Sequence, residues 1–210
     1  MSVIVAQDVI ALHAGLASQT IRRFYENSAA EVAVFRLNRK TGSVVPVKLK
    51  VTRPITFKLG DWNVQIHPSV AKAAFTLRRK HLPAETGGVM LGLVDRESRF
   101  VAIVGVLPAP ADSIQWPTSF IRGSNGLRAA VDEVSKRTQG NLVYVGEWHS
   151  HPRGHDAQPS SLDVAAIGMS SPHMEADGLP TLMLIFGDDR DLVLAAKPLG
   201  LDYVEVLAAA

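Results

Sequence analysis

There is no cysteine anywhere in the 210 residues. That removes Cys-rich zinc modules, thiol nucleophiles and disulfide frameworks at once. It also leaves the chain indifferent to redox state, which is compatible with a reducing compartment. No HExxH segment is present, so the helix of the zincin type of metal site is missing. A zinc deaminase needs HxE followed by PCxxC, and the second half cannot be written without cysteine. No GxxxxGK[ST] loop is present either, so the chain carries no ATP chemistry of its own. Apolar runs are short. None reaches the ~20 residues that span a bilayer, and Met1–Ala14 has neither a basic n-region nor a cleavage site after a long apolar run. The expectation is a soluble, cytoplasmic protein with no membrane partner.

Net charge is nearly absent too. Twenty-two Lys and Arg against 20 Asp and Glu leave +2, too small an excess to argue for nucleic acid. One stretch is uneven: residues 31–60 hold Arg36, Arg39, Lys40, Lys48, Lys50, Arg53 and Lys58 against Glu31. Lysines guarding the edges of a solvated hairpin account for that best. An acidic protein partner comes second. Nucleic acid comes third, because few aromatics are interleaved there for base stacking.

What is present is apolar material, 47% of the chain, enough for one sizeable domain with an extension. Residues 1–55 are read as the extension. Within it, 8–26 place Val9, Leu12, Leu16, Ile21 and Phe24 at helical spacing. EVAVFRL (31–37) and VVPVKLKV (44–51) read as a hairpin around turn residues 38–43, with Pro46 marking an edge strand. The extension can be an arm on the main domain, a dimer contact or a docking surface, and the sequence leaves these open.

Residues 56–210 are read as the main domain. Strands are expected at 62–67, 89–94, 99–107, 118–122, 142–148, 181–186 and 192–196, with helices at 68–80, 126–139 and from 161 to about 169. Ser170–Pro180 reads as a polar loop and Ala208–Ala210 as a frayed tail. Hairpins mixed with crossover helices predict an α/β fold, a mixed sheet between helices.

The chemistry concentrates in residues 146–163, GEWHSHPRGHDAQPSSLD. On a strand, His149 and His151 project from one face, because side chains alternate with period two. Pro152 ends that strand, having no N–H for a ladder. Ser160 reads as a helix N-cap with Asp163 in the first turn. A strand end and a helix start can thus aim two imidazoles and a carboxylate at one point. Two His and one Asp form a three-ligand Zn²⁺ set that leaves the fourth position open, the pattern of catalytic sites. Glu147 shares the face of His149 and is placed to orient an imidazole. Trp148 and Ser150 fall on the other face, in packing or supporting roles. His155 and Asp156 are read as rim residues, and His13, His67, His81 and His173 receive no chemistry.

His149-Ser150-His151-Pro152 followed by Pro159-Ser160-Ser161-Leu162-Asp163 resembles the signature of the JAMM (JAB/MPN+) metallopeptidases. Pro83-Ala84-Glu85-Thr86-Gly87-Gly88-Val89-Met90-Leu91-Gly92 matches the upstream glutamate segment of bacterial members. The resemblance covers about residues 60–197, with every motif position filled, and leaves 1–55 outside. It implies the MPN (JAB) fold, with zinc at one edge of the sheet. It implies Glu85 as the general base, which nothing else in the sequence sets above Asp156 or Glu147. It gives Ser160 a second role, stabilising the oxyanion. The implied activity is that of a zinc-dependent isopeptidase or peptidase cutting after the C-terminus of a ubiquitin-like protein. Bacterial members of this kind are encoded beside ubiquitin-activating-like and conjugating-like enzymes, including in antiphage operons. Trimming of a sulfur-carrier precursor is the enzymatic alternative, and a non-catalytic MPN scaffold the alternative outside enzymes.

Overall fold

The computed structural model of the chain describes residues 34–38, 40–47 and 53–208. The chain divides into two compact units, Met1–Arg53 and Pro54–Ala210.

In the first unit, β1 (Val34–Leu37) pairs antiparallel with β2 (Val44–Val47), Val34 opposite Val47 and Leu37 opposite Val44. Asn38 closes the turn. Its N–H donates to Ser43 O at 2.8 Å, its carbonyl accepts from Gly42 N at 2.8 Å, and its side chain accepts from Lys40 N at 3.0 Å. The predicted hairpin is therefore formed. The helix expected at 8–26 and the outer ends of both strands lie outside the described residues.

The second unit is built on an eight-stranded sheet in the order β12-β11-β10-β9-β5-β6-β4-β3. Its strands are β3 (Ile55–Leu59), β4 (Trp62–Ile66), β5 (Thr86–Asp95), β6 (Phe100–Pro108), β9 (Val143–Ser150), β10 (Thr181–Phe186), β11 (Leu192–Lys197) and β12 (Glu205–Ala208). The pairs β4·β6 and β9·β10 are parallel and the rest antiparallel, so the sheet is mixed. A separate ribbon, β7 (Ile114–Trp116) and β8 (Ser119–Ile121), follows β6.

Helices lie on both faces of the sheet at β10, whose six residues are all buried and alternate between two clusters. On β10, Leu182, Leu184 and Phe186 join Trp148 and the helix α1 (Pro68–His81) residues Val70 and Ala74 in one buried cluster. Met183 and Ile185 face the other way and pack with Ile167 of α3 (Ser161–Ala176). Phe75 and Trp148 both meet the Phe186 ring edge-on, centroids 5.1 and 5.9 Å away. Burying one such side chain stabilises the fold by about 1.5–3 kcal/mol. Alpha-helix α2 (Leu127–Arg137) completes the set. Pro68 opens α1 where its missing N–H costs nothing, and the His67 ring accepts from Ser69 N at 3.3 Å.

Several expectations change. The sheet begins at Ile55, one residue inside the stretch assigned to the extension, and Phe57 and Leu59 of β3 are buried. Strands β3, β7 and β12 had no clear signature in the sequence. Helix α3 runs to Ala176 instead of stopping near Met169, with Pro172 inside it. Ile167, Ser171 and Met174, spaced four and three apart, hold one buried face across the proline. Lys197 of β11 then ties the last turns down, reaching Ser171 Oγ at 2.9 Å and Glu175 Oε1 at 2.7 Å.

Candidate metal centre

The opposite facing of Trp148 and His149 places the site. Trp148 points into the α1-side core and donates its Nε1–H to Leu107 O at 2.9 Å. His149 therefore points to the α3 side, where it is 5% exposed. Cross-strand neighbours in the same register are Ile185 on β10 and Gly87 on β5. The chain leaves the sheet at Pro152, and His151 N–H makes a last bond to Phe186 O at 2.9 Å.

Asp163 arrives from the other direction. Ser160 caps α3, and a capping box fixes the first turn: Ser160 Oγ accepts from Asp163 N, while Asp163 Oδ2 accepts from Ser160 N at 2.7 Å. The remaining oxygen, Oδ1, lies 3.3 Å from His149 Nε2. His149 Nε2 and His151 Nε2 are 3.2 Å apart, and Asp163 Oδ2 is 3.7 Å from His151 Nε2.

These separations suit a small divalent ion. Bonds of about 2.0–2.1 Å in a tetrahedral zinc site set neighbouring ligand atoms about 3.3 Å apart. The tautomer fits as well. His151 Nδ1 is 2.6 Å from Asp156 O, and a carbonyl only accepts. Nδ1 therefore carries the hydrogen, and Nε2 of the neutral ring presents its lone pair to the cluster. One ligand atom from each of His149, His151 and Asp163 lies within 4.8 Å of the others. The residues present can hold a metal.

Electrostatics point the same way for His149 and Asp163, whereas His151 leans towards its charged form until a metal displaces the proton. Burial pushes the His149 ring down to about 4, so it is neutral at pH 7 and free to donate a lone pair. Burial works against ionising Asp163, but the adjacent His151 and His149 rings and hydrogen bonds from the Ser160 hydroxyl and amide hold its carboxyl well below the usual range. His151 is pulled down by burial and raised more by Asp163 and the Asp156 carbonyl.

Glu85 sits one residue before Thr86, and Thr86 pairs with Ser150. The ladder thus brings Glu85 up beside His151. Its N–H donates to Trp116 O at 2.9 Å, and its side chain is nearly enclosed, the residue 9% exposed. Desolvation raises its carboxyl to about 7, with His151 opposing and Asp163 adding to the rise. Gly87 allows this approach. A Cβ there would stand 2.4 Å from Phe120 Cε1 and Trp148 O and 2.9 Å from His149 Cβ.

The five singled-out residues Glu85, His149, His151, Ser160 and Asp163 thus meet at one place. Glu147 does not join them. It pairs instead with Arg122 at 2.8 Å, because the strap after β8 lays a guanidinium over its carboxylate, and it orients no imidazole. Ser150 supports β5, donating to Thr86 O at 3.3 Å. His155 and Asp156 are exposed, yet the Asp156 backbone carbonyl fixes the His151 ring. That role has no side-chain signal to read. His81 caps its own helix, Nδ1 2.9 Å from Leu77 O.

One imidazole from the inner strand β9, a second from the residue just past its end and a carboxylate from a helix start, with a buried glutamic acid beside them, form a donor set that can hold a metal ion at the edge of a mixed sheet. Over residues 67–192 the sequence matches the family described as prokaryotic homologs of the JAB domain, and the chain belongs to that family. A protein of Enterobacter hormaechei subsp. hoffmannii (strain UCI 50), named CD-NTase/cGAS isopeptidase, is 36% identical over 105 residues, 50% of this chain and 56% of that relative. A protein of the same name from Escherichia coli (strain TW11681) is 27% identical over 138 residues, 65% of this chain and 83% of that relative. The chain thus matches little more than half the length of the first of these relatives. A solution structure of a protein from Desulfitobacterium hafniense is 20% identical, with a TM-score of 0.47, over 69% of this chain and 89% of that one. Among the described residues, no helix is long and apolar enough to cross a membrane.

Proposed function

We propose that the chain is a zinc-dependent isopeptidase that cleaves the bond following the C-terminus of a ubiquitin-like protein joined to a target protein. The observation that carries this reading is the convergence of His149 Nε2, His151 Nε2 and Asp163 Oδ1 beside a buried Glu85. A bound zinc ion would supply Lewis acidity, polarising the scissile carbonyl and bringing the pKa of a water towards ~7.

The chain's own residues do the rest. Glu85, balanced near neutrality, takes a proton from the attacking water and returns it to the departing amine. The Ser160 hydroxyl now donates to Asp163 Oδ2 at 2.7 Å. By turning outward it can donate to the oxyanion instead, while its amide keeps Asp163 in place. The β7–β8 ribbon offers Ile114, Trp116 and Ile121 to solvent within reach of the site, since the Trp116 carbonyl holds Glu85 N–H. An extended substrate tail would lie there, held by main-chain hydrogen bonds.

The names of the relatives favour deconjugation over precursor trimming, and suggest a CD-NTase-type enzyme as the conjugated target. Ubiquitin-activating-like and conjugating-like enzymes would be the functional partners. The test incubates zinc-loaded protein with an isopeptide-linked ubiquitin-like conjugate and with a linear ubiquitin-like precursor. Cleavage of the conjugate, abolished by chelation and by Glu85→Gln, supports the reading. Cleavage of the precursor alone would favour sulfur-carrier processing, and zinc binding without cleavage of either would favour a scaffold.

A further inference from the structure

Arg78 has no place in the ligand set, and its burial calls for a reason. It lies in the last turn of α1, where cations suit the helix dipole. Arg79 and Lys80, both exposed, already serve that purpose. The Arg78 side chain is only 7% exposed, and a buried guanidinium is costly unless every donor is engaged. Its Nε donates to His151 O at 2.8 Å, and its Nη2 donates to Pro152 O at 2.9 Å and to Asp188 Oδ1 at 2.6 Å.

Asp188, on the turn between β10 and β11, carries the contact onward. Its Oδ2 accepts from Gly154 N–H, and its own N–H donates to His155 O at 3.0 Å. Asp191 on the same turn accepts from Ala157 N at 2.7 Å. The loop also lies directly against the turn's backbone: a Cβ on Gly187 would stand 2.6 Å from Ala157 N and Asp156 C. Nearly every residue from His151 to Ala157 is thus fastened to α1 or to this turn. Within that stretch lies the Asp156 carbonyl that fixes the His151 tautomer.

We infer that Arg78 and Asp188 are positioning residues for the metal-binding loop: they hold residues 151–157 so that Asp156 O locks His151 with Nε2 aimed at His149 and Asp163. The inference rests on reading those three residues as metal ligands. Partners of this kind, one bond removed from a ligand, typically change metal affinity 10–100-fold when altered.

The test measures zinc affinity by chelator competition in the full chain, together with the His151 Nδ1–H signal in histidine-ring NMR spectra. Asp188→Asn keeps an acceptor for Arg78 but turns an amide group towards Gly154 N–H. Arg78→Lys offers a single ammonium in place of a fork, which cannot reproduce three directed bonds. Both are expected to weaken zinc binding 10–100-fold and to expose the Nδ1 proton to faster exchange. Arg190→Ala, exposed on the same turn, is expected to change neither. If Arg78→Lys fails to fold, Asp188→Asn decides alone. Wild-type zinc affinity and an unchanged ring signal in Asp188→Asn would overturn the inference while leaving the ligands standing. Absence of zinc binding by the unaltered chain would instead sink the ligand reading, and this inference with it.

Discussion

Ser160 and Asp163 hold each other by three hydrogen bonds: Asp163 Oδ2 accepts from both the amide and the hydroxyl of Ser160, at 2.7 Å each, and Asp163 N–H returns one to Ser160 Oγ at 3.3 Å. A helix-starting device and a candidate metal ligand are therefore built from the same pair of residues. One carboxylate oxygen is spent on the cap, and the other is left for the cluster.

Replacing Ser160 separates the two duties. Ser160→Ala is expected to cost about 1 kcal/mol of stability in the metal-free protein and ~10²–10³ in kcat. Gly is nearly as good an N-cap as Ser and has no side-chain donor, so Ser160→Gly should restore most of the stability but not the rate. Urea melts and initial rates on one conjugate measure both. Equal rates for Ser160→Gly and the unaltered chain would remove the hydroxyl from the reaction.

Removing a ligand should remove the metal. His149→Ala and Asp163→Asn are each expected to abolish stoichiometric zinc and all turnover. Zinc at one hundred times its Kd should stabilise the unaltered chain by about 2.7 kcal/mol. The two variants should show no such gain in thermal melts. An equal zinc-induced gain in both would mean that other residues bind the ion.

The metal-free protein should show an opposed pair of pH effects. Glu85 is raised to about 7 from an ordinary 4.5, so the folded state binds the extra proton. Its contribution is fully present below pH 4.5 and is lost as pH rises through 7. His149 is lowered to about 4 from 6.5, so the unfolded state binds the extra proton. Its contribution is present above pH 6.5 and is lost as pH falls towards 4. Glu85→Gln should therefore raise the melting temperature relative to wild type at pH 8 far more than at pH 5. A pH-independent difference between the two proteins would contradict the buried placement of Glu85.

Gly87→Ala tests the close approach of β5 and β9. The new methyl group meets the Phe120 ring, the Trp148 carbonyl and the His149 Cβ, all under 3.0 Å away. Overpacking of this kind costs about 1–3 kcal/mol. Because the His149 side chain takes part of the displacement, zinc affinity should fall as well. A variant as stable as wild type, with its zinc affinity intact, would show that the β7–β8 ribbon bearing Phe120 and the facing β9 backbone yield freely.

The cluster of His149, His151 and Asp163 was legible in the sequence because each is a side chain in a short, ordered pattern. HSHP and PSSLD specify both residue type and the local element that aims it. Glu85 was legible only through resemblance, since a lone carboxylate before two glycines has no distinguishing spacing. Arg78 and Asp188 escaped notice because what joins them is tertiary: side chains 110 residues apart meet in an ion pair, and Arg78 also reaches the backbone carbonyls of His151 and Pro152, contacts that no sequence pattern encodes. The extra length of α3 was hidden by Ser170-Ser171-Pro172, which reads as a break until burial of Ile167, Ser171 and Met174 is seen to override it. Strand β12 exists through pairing with β11, a long-range condition that four residues, Glu-Val-Leu-Ala, do not announce.

The strand that delivers His149, with His151 one residue past its end, is laced on two sides, antiparallel to β5 and parallel to β10, with three more strands beyond β5 and two beyond β10. It has no free border from which to peel. Opening wide enough to release His149 would need rupture of an inner ladder, an event close in free energy to global unfolding. Amide protons of β9 should consequently be among the slowest to exchange with deuterated solvent, even in protein stripped of metal. Reloading an emptied centre would then need no refolding of the strand, only rearrangement of the loop that follows it.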